Sequence, residues 1–132
     1  MANKTPIDEL FTDAGPFDLA AAAQALKAFV AIQRETHRIY LKGGQKLSVE
    51  NKILAYTLAK KLLKMEERIE EEYVSAAEVH EATGIKKGSV DFTFKKLREA
   101  GILIGSGSRY ELPHYQVNVV IERLNSAANK SE

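Results

Sequence analysis

The first part of the chain carries hydrophobic residues at helical spacing with few interruptions. Residues 18–42 contain neither Gly nor Pro, and Asp18 is a suitable N-cap. At about 100° per residue the apolar positions share one broad face: Leu19, Ala22, Ala23, Leu26, Phe29, Val30, His37, Tyr40 and Leu41. This pattern predicts one long N-terminal helix that ends at Gly43-Gly44. Residues 1–17, with two prolines and one glycine, predict a flexible lead-in.

Two helices are predicted in the middle of the chain. Ser48 is a good N-cap for a helix from about Val49 to Met65. Ser75 and Glu78 have the spacing of a capping box, in which the hydroxyl and the carboxylate each bind a free amide at the helix start. The short helix that follows ends before Gly84, which can adopt the left-handed conformation.

A further helix is predicted over residues 87–100, closed by Gly101. One stripe of this helix, spaced by four and three residues, points inward: Val90, Phe94 and Leu97. Two β-prone runs follow at 102–104 and 109–112, separated by the sequence Gly-Ser-Gly-Ser. They predict a β-hairpin.

The last segment predicts a C-terminal helix over 113–125 and a polar tail over 126–132. The apolar stripe of this helix consists of Val117, Val120, Ile121 and Leu124. Together the patterns predict a mainly α fold with a small β-hairpin, of the α+β class.

The amino-acid composition limits which classes of protein this chain can belong to. The chain has 132 residues, of which 45% are hydrophobic and 28% charged, as is typical of one globular domain. It contains no Cys, which excludes disulfides and thiolate chemistry and fits a reducing compartment. No apolar run approaches the ~20 residues that a membrane span needs. The prediction is a soluble cytoplasmic protein without a membrane partner.

The net charge of +1 conceals an uneven distribution. Residues 27–64 hold nine Lys/Arg and two Glu, residues 66–81 hold seven Glu and one Arg, and residues 86–109 hold six basic and two acidic residues. Two basic blocks thus flank an acidic one. On the predicted first helix, Lys27, Arg34, Arg38 and Lys42 share a face, which is either a solvated surface or an extension of a nucleic-acid footprint.

The order from residue 49 is helix, short strand, short helix, turn, helix and hairpin. The run VSAAEVHEATGI from Val74 to Ile85, and the run FKKLREAGIL from Phe94 to Leu103, resemble the winged helix-turn-helix superfamily. The resemblance covers about residues 49–112, more than half of the chain. It implies a recognition helix at 87–100 that enters the major groove of duplex DNA, and a wing at 102–112 that lies on the flanking backbone.

The residues predicted to contact DNA lie opposite the buried stripe, at the helix start or on the wing: Lys86, Lys87, Ser89, Phe92, Lys95, Lys96 and Arg109. Lys86 stands at the N-cap position but cannot accept an amide hydrogen bond, which departs from the usual pattern of the superfamily. Phe92 is open to three interpretations: contact with a thymine methyl, contact with a partner protein, or packing under the C-terminal helix.

Two functions are compatible with these features. The favoured one is a duplex-DNA-binding transcriptional regulator, a homodimer through Leu26, Phe29, Val30 and Tyr40 of the first helix. The alternative is a winged-helix module for protein–protein interaction, which the near-neutral charge, Phe92, Asp91 and the acidic block favour.

No enzyme is predicted. His37, His80 and His114 lie far apart in the sequence, and the His80-Glu81 pair lacks the second His that a zinc-protease helix requires because position 84 is Gly. No phosphate-binding Gly loop opens a helix. The sequence therefore predicts neither a cofactor nor a metal site.

Overall fold

The computed structural model describes residues 18–42 and 47–130. These ranges form a mixed α+β fold of five α-helices and two small antiparallel strand pairs. The elements in chain order are α1 (Leu19–Lys27), β1 (Val30–Ile32), β2 (Ile39–Leu41), α2 (Val49–Met65), α3 (Ala76–Thr83), α4 (Lys87–Glu99), β3 (Ile104–Ser106), β4 (Arg109–Glu111) and α5 (Val117–Lys130). The predicted lead-in over 1–17 and the predicted stop at Gly43-Gly44 lie outside the described residues.

The central helix of the fold is α2. Seven consecutive residues, from Ile53 to Ala59, are buried, so every side of its middle turns is covered. The elements α1, β2, α4 and α5 all pack against it. Its buried hydroxyl is satisfied within the helix, because Thr57 Oγ1 donates to the Ile53 carbonyl oxygen at 2.7 Å.

The helices predicted between residues 48 and 101 are confirmed with boundaries that agree to within one residue. Ser48 Oγ accepts from the Asn51 amide and Ser75 Oγ accepts from the Glu78 amide, each at 3.1 Å. After the helices, Gly84 and Gly101 adopt φ values of +77° and +79°, which glycine tolerates without steric cost.

One half of the predicted capping box is wrong. The Glu78 carboxylate accepts from Tyr56 and Lys60 of α2, at 2.7 to 2.8 Å, and is therefore turned away from the start of its own helix. A charged donor and a phenol on a neighbouring helix are together stronger partners than one backbone amide.

The single long helix predicted over 18–42 is also wrong. The first helix ends at Lys27, and β1 pairs with β2 as an antiparallel hairpin in which Val30 lies opposite Leu41. Both strands are rich in β-branched and aromatic residues, which favour extended structure. The hairpin buries Val30 and Ile39 while it turns Tyr40 outward, whereas the helical prediction placed Tyr40 with the core residues.

The hairpin turn closes without glycine. His37 adopts a φ of +59°, and its amide donates to the Gln33 carbonyl oxygen at 2.8 Å. The Thr36 hydroxyl donates to Gln33 Oε1 at 2.8 Å and accepts from the Arg38 amide at 3.3 Å. Apart from glycine, histidine is among the residues that enter the left-handed region most readily. The turn therefore forms without the Gly, Pro, Asn or Asp that usually signals a turn in a sequence.

The apolar face predicted to form a dimer is filled within the chain. Leu26, Phe29 and Val30 are buried, and α1 packs against α5 and α2. Three of the four residues predicted for the subunit interface therefore belong to the core of one chain, and their assignment to an interface is wrong.

The prediction of a polar tail over 126–132 is wrong for residues 126–130, which belong to the last helix. After a 3-10 turn at His114–Gln116, α5 runs from Val117 to Lys130. Ala127 and Ala128 are partly buried against the core, so the packed face of the helix continues beyond the predicted apolar stripe. Within the described ranges, no helix combines the length and the apolar character needed to cross a membrane.

The second hairpin is joined to the rest of the fold by one further strand contact. The amide of Val74 donates to the Tyr110 carbonyl oxygen at 2.8 Å, and the Tyr110 amide donates back at 2.9 Å. The Tyr110 ring stacks on Phe94 of α4, with 4.4 Å between ring centroids and 12° between ring planes. A Cβ at Gly105 would overlap the Arg109 carbonyl oxygen, so only glycine fits where β3 and β4 approach. The hairpin is thus fixed beside α4.

Candidate nucleic-acid interface

Helix α4 is anchored along one face and open along the other. Its buried residues are Val90, Thr93, Phe94 and Leu97, which include the three predicted to point inward. The predicted outward residues are exposed, and Phe92 retains 69% of its surface in contact with solvent. The C-terminal helix therefore does not cover Phe92, which removes one of the three interpretations of this residue.

The turn between α3 and α4 is held by local hydrogen bonds. His80 Nδ1 lies 2.6 Å from the Ile85 carbonyl oxygen, and the Ile85 amide donates to Thr83 Oγ1 at 3.2 Å. Together with the left-handed Gly84, these contacts determine where α4 begins. The exposed start of α4 is therefore presented on a defined turn.

The first turn of α4 lacks a side-chain cap. Lys86 occupies the N-cap position and makes no cap hydrogen bond, as its chemistry predicts. A Cβ added at Gly88 would meet no heavy atom within 4 Å, so the surface beside this residue is open. Free amides at a helix start attract anions, and Lys86 and Lys87 add positive charge at the same end.

Two further cations, Arg109 of the wing and Arg98 of α4, lie at the edge of this surface in contact with aromatic rings. The Arg109 guanidinium lies 5.8 Å from the ring centroid of Tyr73, and the Arg98 guanidinium lies 5.7 Å from that of Tyr110. The Tyr73 backbone is held in turn by Lys60, whose Nζ donates to the Tyr73 carbonyl oxygen at 2.6 Å. Arg109 is thus positioned at the wing by a residue from outside the hairpin.

Sequence reasoning missed Arg98 and Tyr73. Arg98 follows Phe94 by one helical turn, and this spacing could have placed it beside the ring that packs on Phe94. Tyr73 directly precedes Val74, the residue that pairs with the wing, so strand pairing was the available signal.

One predicted contact residue has a structural partner. Lys96 Nζ lies 2.6 Å from Glu50 Oε1, and Arg123 Nη1 lies 3.3 Å from Glu50 Oε2. The hydrogen bond from Lys96, opposed by partial desolvation, holds the pKa of Glu50 below its usual range. Lys96 therefore joins α4 to the first turn of α2, which sets it apart from the other predicted residues.

The exposed surface of α4 and the wing carries an excess of positive charge. The exposed cations, Lys96 aside, are Lys86, Lys87, Lys95, Arg98 and Arg109, and the anions of the same elements are Asp91, Glu99 and the half-buried Glu111. Lys87 and Lys95 have no ion-pair partner in the part of the chain that the structure describes. Such a surface can bind a polyanion at several points.

Among the described residues, no group of three His, Asp or Glu side chains is arranged to hold a metal ion. Comparison of the chain with protein-family models, curated proteins and solved structures gives no match.

Proposed function

We propose that this protein binds duplex DNA as a winged helix-turn-helix protein, in the role of a transcriptional regulator. Helix α4 would lie in the major groove, and the β3–β4 wing would contact the flanking backbone. The observation that carries the proposal is the exposed face of α4, on which Lys87 and Lys95 have no ion-pair partner among the described residues while the opposite face is anchored in the core.

The arrangement of elements supports the same proposal. Helices α2, α3 and α4 are followed by a hairpin, and Val74 pairs with Tyr110 on that hairpin as a short third strand. Stacking of Tyr110 on Phe94 keeps the wing beside α4, so that both can meet one face of a duplex.

Each exposed residue has a distinct role in this proposal. Lys86, Lys87 and Lys95 neutralise phosphates and determine the register of the helix on DNA. Ser89 and Phe92 reach base edges, where a hydroxyl can hydrogen-bond and an aromatic ring can contact a thymine methyl. Arg109 contacts the backbone beside the groove.

The experiment is a series of duplex titrations at increasing salt concentration. Each phosphate contact contributes about 0.9 to the slope of log K against log salt. Lys87→Ala and Lys95→Ala should each lower the slope by about this amount. Lys96→Ala is the matched control at the neighbouring position. Because Lys96 is paired with Glu50, the slope of log K against log salt should change least in this variant. Unchanged affinity and slope in the Lys87→Ala/Lys95→Ala double variant would refute DNA binding through α4.

A protein-interaction module is the second candidate, and the exposed Phe92 is the observation that favours it. A large aromatic side chain with 69% of its surface open, beside the anionic Asp91, is typical of a contact with another protein. Phe92→Ala with unchanged DNA affinity and unchanged stability would favour this candidate for that face.

A further inference from the structure

A second site lies away from the proposed DNA-binding surface. An open pocket of about 280 Å³ lies between the β1–β2 hairpin, α2, α3 and the segment that joins these two helices, and none of its lining residues belongs to α4 or the wing. Its apolar part is formed by Ile39, Leu63 and Ile69. The volume is slightly below the range typical of sites for drug-sized ligands, so the cavity suits a small metabolite.

The inner polar residues of the cavity satisfy one another. The Glu78 carboxylate accepts from Tyr56 Oη at 2.7 Å and from Lys60 Nζ at 2.7 and 2.8 Å. Burial, together with the neighbouring Glu78, raises the pKa of Tyr56 above its usual range, so the phenol remains a donor. These three residues leave no net charge for a ligand.

Two ionic residues of opposite sign remain at the cavity. Arg38 of the hairpin and Glu81 of α3 both line it, and neither has an ion-pair partner among residues 18–42 and 47–130. The Arg38 guanidinium lies 5.5 Å from the ring centroid of Tyr40, which limits its freedom. A cation and an anion beside an apolar surface are complementary to a ligand that carries both charges and an apolar body.

The backbone beside Arg38 is held in an uncommon conformation. His37, which also lines the cavity, has a φ of +59°, and the Gln33 and Thr36 side chains maintain the turn around it. For a residue other than glycine this conformation costs free energy, and it persists where surrounding contacts impose it. The turn positions Arg38 at the cavity before any ligand arrives.

We propose that this cavity binds a free apolar α-amino acid in its zwitterionic form. The α-carboxylate pairs with Arg38 and the α-ammonium with Glu81, while the side chain lies against Ile39, Leu63 and Ile69. Binding at this site does not depend on the proposed binding of DNA, so the two proposals fail separately.

The test is isothermal titration calorimetry of the full chain with L-phenylalanine and L-leucine. Two matched analogues each lack one charge: N-acetyl-L-phenylalanine has no ammonium group and L-phenylalaninamide has no carboxylate. We expect L-phenylalanine and L-leucine to bind, and both analogues to bind at least tenfold more weakly than L-phenylalanine, which corresponds to about 1.4 kcal/mol or more.

Variants locate the site. Arg38→Gln and Glu81→Gln should each weaken binding of the free amino acid at least tenfold, since each removes one charge from an exposed position. Arg34→Gln is the control, because Arg34 lies in the same hairpin but lines the neighbouring cavity and not this one. Circular dichroism of each variant verifies the fold.

Three results would overturn the proposal. The first is absence of binding heat for both amino acids at ligand concentrations up to roughly 10 mM, well above the dissociation constant of a useful site. The second is equal binding of N-acetyl-L-phenylalanine, which would indicate a plain anion site. The third is an equal loss of affinity in Arg34→Gln, which would place the ligand elsewhere on the hairpin.

Discussion

Two phenylalanines of α4 provide a matched test of how this helix is oriented. Phe92 and Phe94 are two residues apart, so the same substitution to Ala can be compared on one helix. The Phe94 ring is fully buried and stacks on Tyr110, whereas Phe92 is 69% exposed. We predict that Phe94→Ala strongly destabilises the fold and that Phe92→Ala leaves its stability nearly unchanged.

The expected magnitudes follow from burial. Removal of a buried Phe ring costs about 3–5 kcal/mol, because apolar contacts are lost and a cavity remains. Loss of the stacked pair with Tyr110 is included in this value. Since small domains have a total stability of only about 5–15 kcal/mol, the melting temperature of Phe94→Ala should fall by on the order of 10–20 °C. An exposed side chain away from such contacts changes stability by about 0.5 kcal/mol or less.

The assay is urea unfolding followed by far-UV circular dichroism, with the wild-type slope as a check on two-state behaviour. A gel shift on Phe92→Ala then reports DNA affinity with the fold intact. A loss above about 1.5 kcal/mol in Phe92→Ala would mean that the Phe92 ring is covered, and a covered face cannot enter a groove. A loss below about 1 kcal/mol in Phe94→Ala would show that α4 is not anchored by this stripe.

Two further predictions concern ion pairs. Lys61 is 2% exposed and lies 2.9 Å from Glu72, so Glu72→Gln should cost about 3 kcal/mol by leaving a buried charge unpaired, while Lys61→Met should cost much less in the same urea titration. The hydrogen bond from Lys96 is the main cause of the lowered pKa of Glu50, so ionised Glu50 stabilises the folded state at neutral pH. This stabilisation is lost as the pH falls from about 4.3, the pKa of Glu in an unfolded chain, through the lower pKa of Glu50 in the folded state. Unfolding measured against pH should therefore show this acid-side loss, of about 1 kcal/mol or less, in the wild type and not in Glu50→Gln.

Local signals were sufficient for the helices between residues 48 and 101. Ser48 and Ser75 cap amides three residues away, and Gly84 and Gly101 adopt conformations that depend on their own φ. Because each of these interactions is complete within a few residues, its outcome can be predicted from the sequence. The outward position of Phe92 follows from the same helical geometry.

Local signals were insufficient before residue 42. A run without Gly or Pro and with apolar residues at suitable spacing is compatible with both a helix and a hairpin. Burial of Val30 and Ile39 in the core, which includes α2, decided for the hairpin, and His37 supplied the turn conformation that no glycine signals. Such a choice depends on neighbours that are distant in the sequence.

The candidate site divides in the same way. The apolar face of α4 and the inability of Lys86 to cap the helix can be predicted from the sequence, because periodicity and side-chain chemistry are local properties. The ion pair of Lys96 with Glu50, the position of Arg109 over Tyr73 and the contact of the Glu78 carboxylate with Lys60 cannot be predicted in this way. The energy of each of these contacts depends on the distance and burial of two groups that are brought together only when the chain folds.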